Sequence, residues 1–216
     1  MGKNKLVFLI FKMNKINKIT HELKHHLPFT ALATLIAVII TSIFFYTKTL
    51  SSESQIFNLL HASHILISAI VPAAIFYKYK KNYLQSILVA TISSIIIGTL
   101  SDVLFPYVGA SLIFLNPEFH IPLFEEPFLI IFVALIGTVI GILIKVTKIP
   151  HLIHVSLSIF ASLFYLLAYA SPLNLVNLIL IFIIVVIAVI IPCCTSDIIF
   201  PFLFLKEKIN KCGCRI

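Results

Sequence analysis

The chain has 216 residues, of which 60% are apolar and 11% are charged, and its mean hydropathy is +1.12. Long stretches carry no charge, and a bilayer core about 30 Å thick needs about 20 such residues for each helix that crosses it. This composition excludes a soluble globular domain and predicts a polytopic membrane protein. The net charge of +8 does not indicate nucleic-acid binding, because the basic residues flank apolar segments and lack the mixed aromatic and polar surface of a binding domain.

Residues 1–25 form a basic leader in which apolar side chains recur at helical spacing between lysines. The apolar run from Leu6 to Phe11 is too short for a secretory signal, and no small-residue cleavage site follows it. We expect an amphipathic helix that is held on the inner leaflet by its apolar face and by anionic lipid. A frayed basic segment is the alternative.

Six apolar stretches follow the leader, and each is long enough to cross the bilayer as a helix. They cover residues 28–46, 57–77, 84–108, 127–147, 150–171 and 174–205, and a basic tail follows at 206–216. Helices are expected because backbone groups in lipid must find their partners within each segment, and the alternation of barrel strands is absent. Gly137 and Gly141 predict a small packing face between helices and not a ligand site. The predicted fold class is therefore all-α.

The basic residues are distributed asymmetrically around these six stretches. Fifteen of the sixteen lysines and arginines fall in the leader, in the turns after the second and fourth stretches, and in the tail, whereas Lys48 alone falls on the other side. Lysine and arginine concentrate on the cytoplasmic side of membrane proteins. The sequence therefore predicts a multi-pass protein of the cell membrane with both termini in the cytoplasm.

Polar landmarks of the first half of the chain recur in the second half in the same order. His61-x-x-His64 recurs as His151-x-x-His154 at an offset of 90 positions, and Asp102 recurs as Asp197 at an offset of 95. His26-x-Pro28 recurs as His120-x-Pro122 at an offset of 94. Each half holds three spans, and an odd number means that the second half enters the membrane from the opposite face. The sequence therefore predicts an inverted 3+3 repeat, with residues 26–110 as the first unit and 111–205 as the second.

The helix directions place these landmarks in two clusters, one near each face of the membrane. At 1.5 Å per residue, Asp102 lies roughly 27 Å along the third span, close to the outer edge where the second span begins. The outer cluster comprises His61, His64, Asp102 and His120, with Glu118, Glu125 and Glu126 as further candidates. The inner cluster comprises His26, His151, His154 and Asp197, with His25, Cys193 and Cys194 as further candidates.

The residue types in these clusters are those that bind transition metals. Histidines three residues apart share one face of a helix, so each pair can direct two imidazoles at one point. Imidazole suits zinc, nickel or iron, extra glutamates favour manganese, and an aspartate either completes the ligand shell or orients a ligating histidine. Interfacial histidines and a solvated helix cap are the alternatives for any single residue. The duplication in the same order favours a bound divalent transition metal.

A proline follows each aspartate of the repeat by four residues, at Pro106 and Pro201. Proline lacks the amide that an intrahelical hydrogen bond requires. We therefore expect a break or a helix end beside each carboxylate, with carbonyl groups freed next to it.

Transport is the function that the inverted repeat favours, because the same architecture seen from both sides is what alternating access requires. We expect a small divalent cation as the substrate, the lipid bilayer as the surroundings and no nucleic-acid partner. Six spans are few for a carrier, which favours a homodimer.

A membrane-embedded metal hydrolase is one alternative to transport. The His-x-x-His and aspartate pattern is loosely similar to integral-membrane amidohydrolases of the ceramidase and adiponectin-receptor type, which differ in span number and spacing. A channel or a structural membrane protein without catalytic role is the other.

Overall fold

A computed structural model describes residues 24, 27–44, 46–47, 52–144, 151–170 and 175–204, with the side chains at 151–152, 175–176 and 193–204 excepted. The predicted leader, apart from Lys24, and the predicted tail lie outside the described residues. Several members of the predicted inner cluster also lie outside them. These are His25 and His26, and the side chains of His151, Cys193, Cys194 and Asp197.

The described part of the chain is helical and contains no strand, which confirms the all-α prediction. The helices are α1 (Leu27–Phe44), α2 (Glu53–Lys80), α3 (Tyr83–Thr99), a π-helical turn (Leu100–Leu104), α4 (Phe105–Leu112), α5 (Pro122–Glu125), α6 (Pro127–Ile144), α7 (His151–Tyr169) and α8 (Leu175–Phe204). The helix α3, the π turn and α4 together form one continuous helix, Tyr83–Leu112.

Four helices among the described residues are long and apolar enough to cross a membrane. They are α1, α2, the continuous helix Tyr83–Leu112, and α6. The apolar segments Ile153–Tyr169 of α7 and Asn177–Pro192 of α8 are shorter. The helices agree with a membrane protein, and four candidate spans are established where the sequence predicted six.

The outside of the bundle is apolar, unlike the surface of a soluble protein. Large apolar side chains cover its outside, with Phe128 89% exposed and Leu143 71% exposed, whereas a soluble monomer rarely exposes apolar surface on this scale. Polar side chains lie buried inside, and they include Thr34, Thr41, Ser86, Ser93, Ser94, Thr138, Ser158 and Ser162. This distribution fits a surface in contact with hydrocarbon, where polar groups need partners within the protein.

Helix α2 lies at the centre of the bundle, where it packs against α3, α6 and α7. Its contact with α6 is close because Gly137 and Gly141 of α6 face the α2 backbone. A Cβ atom at either position would collide with the carbonyl oxygen of Leu66 or Ile70, respectively. The two glycines therefore form the small packing face that their spacing predicted.

The helices α2 and α7 run antiparallel. Phe57 near the start of α2 contacts Tyr165 and Tyr169 near the end of α7, and Ser68 in the middle of α2 contacts His154 near the start of α7. Residues 113–126, which join α4 to α6, lie beside the end of α7, because the Glu118 amide donates to the Tyr169 carbonyl oxygen at 2.8 Å. We call this side of the bundle the loop face.

Candidate functional site

Two helices bring three of the predicted outer residues together in the interior of the bundle. His61 and His64 lie one turn apart on α2, and Asp102 lies in the π turn. The Nδ1 atoms of His61 and His64 lie 2.9 and 2.7 Å from the same oxygen, Oδ2 of Asp102. All three side chains are completely buried. We call these three residues the centre.

Two serine hydroxyls complete the surroundings of the carboxylate. Ser101, the preceding residue, donates to Oδ1 of Asp102 at 2.7 Å, and Ser158 of α7 donates to the same oxygen at 2.8 Å. A carboxylate has about four acceptor positions on its two oxygens. The carboxylate of Asp102 is therefore fully hydrogen-bonded by two imidazoles and two hydroxyls.

The carboxylate also fixes which ring nitrogen of each histidine carries a proton. An ionised carboxylate only accepts hydrogen bonds, so Nδ1 of His61 and Nδ1 of His64 must both donate. A neutral imidazole has one proton, and Nε2 of each ring is then left with a free lone pair. Both Nε2 atoms are buried and have no hydrogen-bond partner among the described residues. The carboxylate thus binds Nδ1 of each ring and orients Nε2, the potential metal-ligand atom.

The π turn arises where Pro106 interrupts the hydrogen bonding of the helix. The Phe105 amide donates to the Leu100 carbonyl oxygen, five residues back, and in the same pattern residue 106 would donate to the Ser101 carbonyl oxygen. Proline has no amide proton. The Ser162 hydroxyl of α7 lies 3.0 Å from that carbonyl oxygen instead and shares its proton with the Ser158 carbonyl oxygen at 2.8 Å.

The prediction of a helix break or helix end beside Asp102 is therefore wrong. The helix continues through the proline because a widened turn and a serine from a neighbouring helix compensate for the missing amide. The expectation of a freed carbonyl beside the carboxylate agrees with this geometry at Ser101. Such π turns inside α-helices often occur at functional sites.

His154 lies next to the centre, although the sequence placed it in the inner cluster. Its ring centroid is 4.8 Å from that of His64, and its Nε2 atom is 3.4 Å from the Ser68 hydroxyl. The prediction assumed that α7 begins at the inner edge of the membrane. The end of α7 meets the start of α2 at the loop face, and α7 has 19 residues against 28 in α2. The fourth residue of α7 therefore lies beside the middle of α2.

His120 does not join the centre, and the predicted four-residue outer cluster is divided in two. Its Nδ1 atom pairs with the carboxylate of Glu125, and its ring stacks on Tyr169 with centroids 4.3 Å apart. The ring of Phe57 contacts both groups, with its centroid 5.6 Å from that of His61 and 5.9 Å from that of His120.

The remaining predicted residues of the outer cluster lie on the loop face. Glu118 contacts the end of α7 through its backbone, since its carbonyl oxygen accepts from the Tyr165 hydroxyl at 3.0 Å. The side chains of Glu118 and Glu126 are exposed, and neither reaches the centre. Glu125 belongs to the His120 pair.

Among the described residues, no group of three or more histidine, cysteine, aspartate or glutamate side chains has the geometry of a metal site. The reason at the centre is that Asp102 contacts Nδ1 of both histidines and does not stand beside their Nε2 atoms. Of the two roles that the sequence left open for this aspartate, the geometry fits the orienting one.

Sequence reasoning missed the serines that bind Asp102 and the π turn. A signal was present, because a serine follows the second histidine of each pair by four residues, at Ser68 and Ser158. The repeated pattern is thus His-x-x-His-x-x-x-Ser. Ser162 had no counterpart in the first half, where Pro72 stands at the corresponding offset of 90.

No protein-family model, curated protein or solved structure matches this chain. The described residues define an all-helical protein with four candidate membrane spans around a buried histidine–aspartate centre.

Proposed function

We propose that this chain is a membrane transporter of a divalent transition-metal cation and that the centre binds the cation. The observation that carries the proposal is the shared carboxylate oxygen, which holds Nδ1 of His61 and His64 while both Nε2 atoms stay buried without a partner among the described residues. Oriented imidazoles of this kind bind zinc and neighbouring metals through Nε2.

The position of the centre also supports transport. Ionisable side chains inside membrane-spanning bundles are rare and mark substrate or ion pathways. Asp102 supplies a negative charge that would partly balance a dication bound at the histidines, whereas a purely structural core would need neither the charge nor two free Nε2 atoms. Duplication of the landmarks is likewise unnecessary for a hydrolase, which needs one competent site.

We infer that the inverted repeat relates the two halves. His64 and His154 are equivalent positions in the two units, and equivalent residues of antiparallel helices meet only near the axis that relates them. Their ring contact and the antiparallel packing of α2 and α7 support such an axis at this point. The proposal includes six spans, an inner cluster of His26, His151 and Asp197 without His154, a homodimer, and a cell-membrane protein with cytoplasmic termini.

Zinc and manganese flux into proteoliposomes tests the function. Asp102→Asn should reduce uptake at least tenfold, in keeping with the 10–100-fold loss of metal affinity that follows removal of a carboxylate behind a ligating histidine. Glu126→Gln is the matched control, since it removes the same charge at an exposed position outside the centre, and it should transport like the wild type.

Three outcomes separate the function classes. Saturable uptake that Asp102→Asn abolishes supports a carrier, and uptake that does not saturate identifies a channel. Hydrolysis of a lipid amide without metal flux identifies the membrane-embedded hydrolase. Equal uptake by Asp102→Asn and Glu126→Gln contradicts a role for the centre.

A further inference from the structure

Three histidines on the loop-face side of the bundle have the same local chemistry. His61, His64 and His120 each place Nδ1 against a carboxylate, and each has a buried Nε2 atom without a partner among the described residues. A buried polar atom without a partner is uncommon in native proteins and calls for an explanation. At the centre the explanation proposed is metal binding, and the same chemistry is present at His120.

The His120 pair differs from the centre in its access to water. Glu125 is 52% exposed and His120 is 12% exposed, whereas the centre is completely buried. A cation that approaches the loop face from water therefore meets the carboxylate of Glu125 before any group of the centre.

Phe57 packs against a histidine of each group. It is completely buried, and its ring stacks on His61 at an interplanar angle of 19° and meets His120 edge-on at 68°. The rings of Tyr165 and Tyr169 also pack against the Phe57 ring, with centroid distances of 5.4 and 5.9 Å. A side chain that contacts both histidines is positioned to control passage between them.

We propose that His120 and Glu125 form a second, peripheral site that captures the transported divalent cation at the loop face, and that the Phe57 ring separates this site from the centre. The inference rests on the proposed function, and it adds where the cation first binds and which side chain gates its passage. Glu125 orients His120 as Asp102 orients the two histidines of the centre, and Nε2 of His120 is the ligand atom.

Zinc binding to purified protein distinguishes the peripheral site from the centre. Asp102→Asn should lose binding at the centre and keep binding at His120, and adding Glu125→Gln should weaken that remaining binding roughly tenfold or more. Adding Glu126→Gln to Asp102→Asn should leave it unchanged. A variant Asp102→Asn that binds no zinc would overturn the peripheral site, even if the wild type transports zinc through its centre.

Flux measurements test the order of binding. With zinc supplied at the loop face, Glu125→Gln and His120→Asn should raise KM roughly tenfold and leave the maximal rate unchanged, while supply at the other face should give wild-type kinetics. A fall in maximal rate without a change in KM would contradict capture. Absence of flux in the wild type would overturn the transport function itself, and zinc binding to Asp102→Asn would still decide the peripheral site.

The role of Phe57 is tested by Phe57→Ala and by Phe57→Leu, which keeps more of the buried volume. Both should increase the maximal rate of zinc uptake from the loop face, because the separating ring is gone. Phe76→Ala is the control, since Phe76 is also a buried phenylalanine of α2 but does not belong to either site. Unchanged rates in both Phe57 variants would contradict the gate.

Discussion

The substitution Asp102→Asn tests the organisation of the centre most directly, because it changes hydrogen-bonding capacity and hardly changes size. The carboxylate accepts four hydrogen bonds, whereas the amide of asparagine has one accepting oxygen and one donating NH2 group. With the oxygen facing Ser101 and Ser158, the NH2 group donates to Nδ1 of both histidines. The proton of each neutral imidazole must then lie on Nε2. We expect a folded variant in which His61 and His64 have both changed tautomer.

The energetic consequence follows from the four hydrogen bonds at Asp102. Hydrogen bonds to a charged group contribute about 1.5–3 kcal/mol each, and neutral ones contribute about 0.5–1.5 kcal/mol. Asp102→Asn makes the hydrogen bonds neutral and so loses the difference between these two values at each bond. The substitution also removes the cost of burying a charge, which is several kcal/mol. The two terms leave Asp102→Asn within about 2 kcal/mol of the wild type. In Asp102→Ala four buried donors lose their acceptor at about 1–3 kcal/mol each, which approaches the whole stability of a typical domain.

Two measurements check this reasoning in detergent micelles. The chemical shifts of the ring nitrogens in isotope-labelled histidine report the tautomer, and they should show protonated Nδ1 in the wild type and protonated Nε2 in Asp102→Asn. Unfolding should show a small change for Asp102→Asn and a large one for Asp102→Ala. Protonated Nε2 in the wild type, or equal stability of the two variants, would refute the assignment of Asp102 as the acceptor that organises the centre.

Three further substitutions test the surroundings of the centre. Ser158→Ala should lower the free energy of unfolding by about 1–3 kcal/mol, because one donor to the buried carboxylate is lost; an unfolding measurement with no change would contradict this bond. Ser162→Ala should cost about as much in the wild type but less in a Pro106→Ala background, where the new amide can donate to the freed carbonyl group, and equal costs in the double-mutant cycle would count against the compensation. Gly137→Ala should destabilise the bundle more than Gly109→Ala in thermal unfolding, since the added methyl group meets backbone at the first position and only side-chain atoms, those of Ile184, at the second.

The positions of the helices could be predicted from the sequence because hydropathy determines which segments enter lipid. The second stretch was predicted at 57–77, and α2 extends to Glu53 and Lys80. The difference lies at the ends, where polar residues continue the helix into the interface and leave no apolar signal. The helix Tyr83–Leu112 likewise extends beyond the predicted 84–108.

The convergence of His61, His64 and Asp102 also followed from the sequence, because helical spacing fixes a shared face and the rise per residue fixes depth. The side on which Asp102 contacts the rings could not be predicted. It depends on the π turn at Pro106, whose missing amide is replaced by the Ser162 hydroxyl of α7, a residue distant in sequence.

The separation of His120 from the centre was likewise not predictable, because it depends on side-chain packing across three segments. The Phe57 ring packs against both His61 and His120, and Glu125 offers His120 a partner five residues away. Depth along a helix places a residue near one face of a membrane. It does not specify which neighbour stands between two residues at similar depth.

The direction in which the Asp102 side chain points depends on the number of residues in the π turn as well as on their types. A turn of this kind holds one residue more than the α-helical turn it replaces, and each residue advances an α-helix by about 100°. Deletion of the apolar Leu100 removes the extra residue, and the segment can then continue as an ordinary α-helix. Asp102 would then point about a quarter-turn away from the imidazoles of His61 and His64, so this deletion would separate the carboxylate from both rings while every polar side chain of the centre remained present.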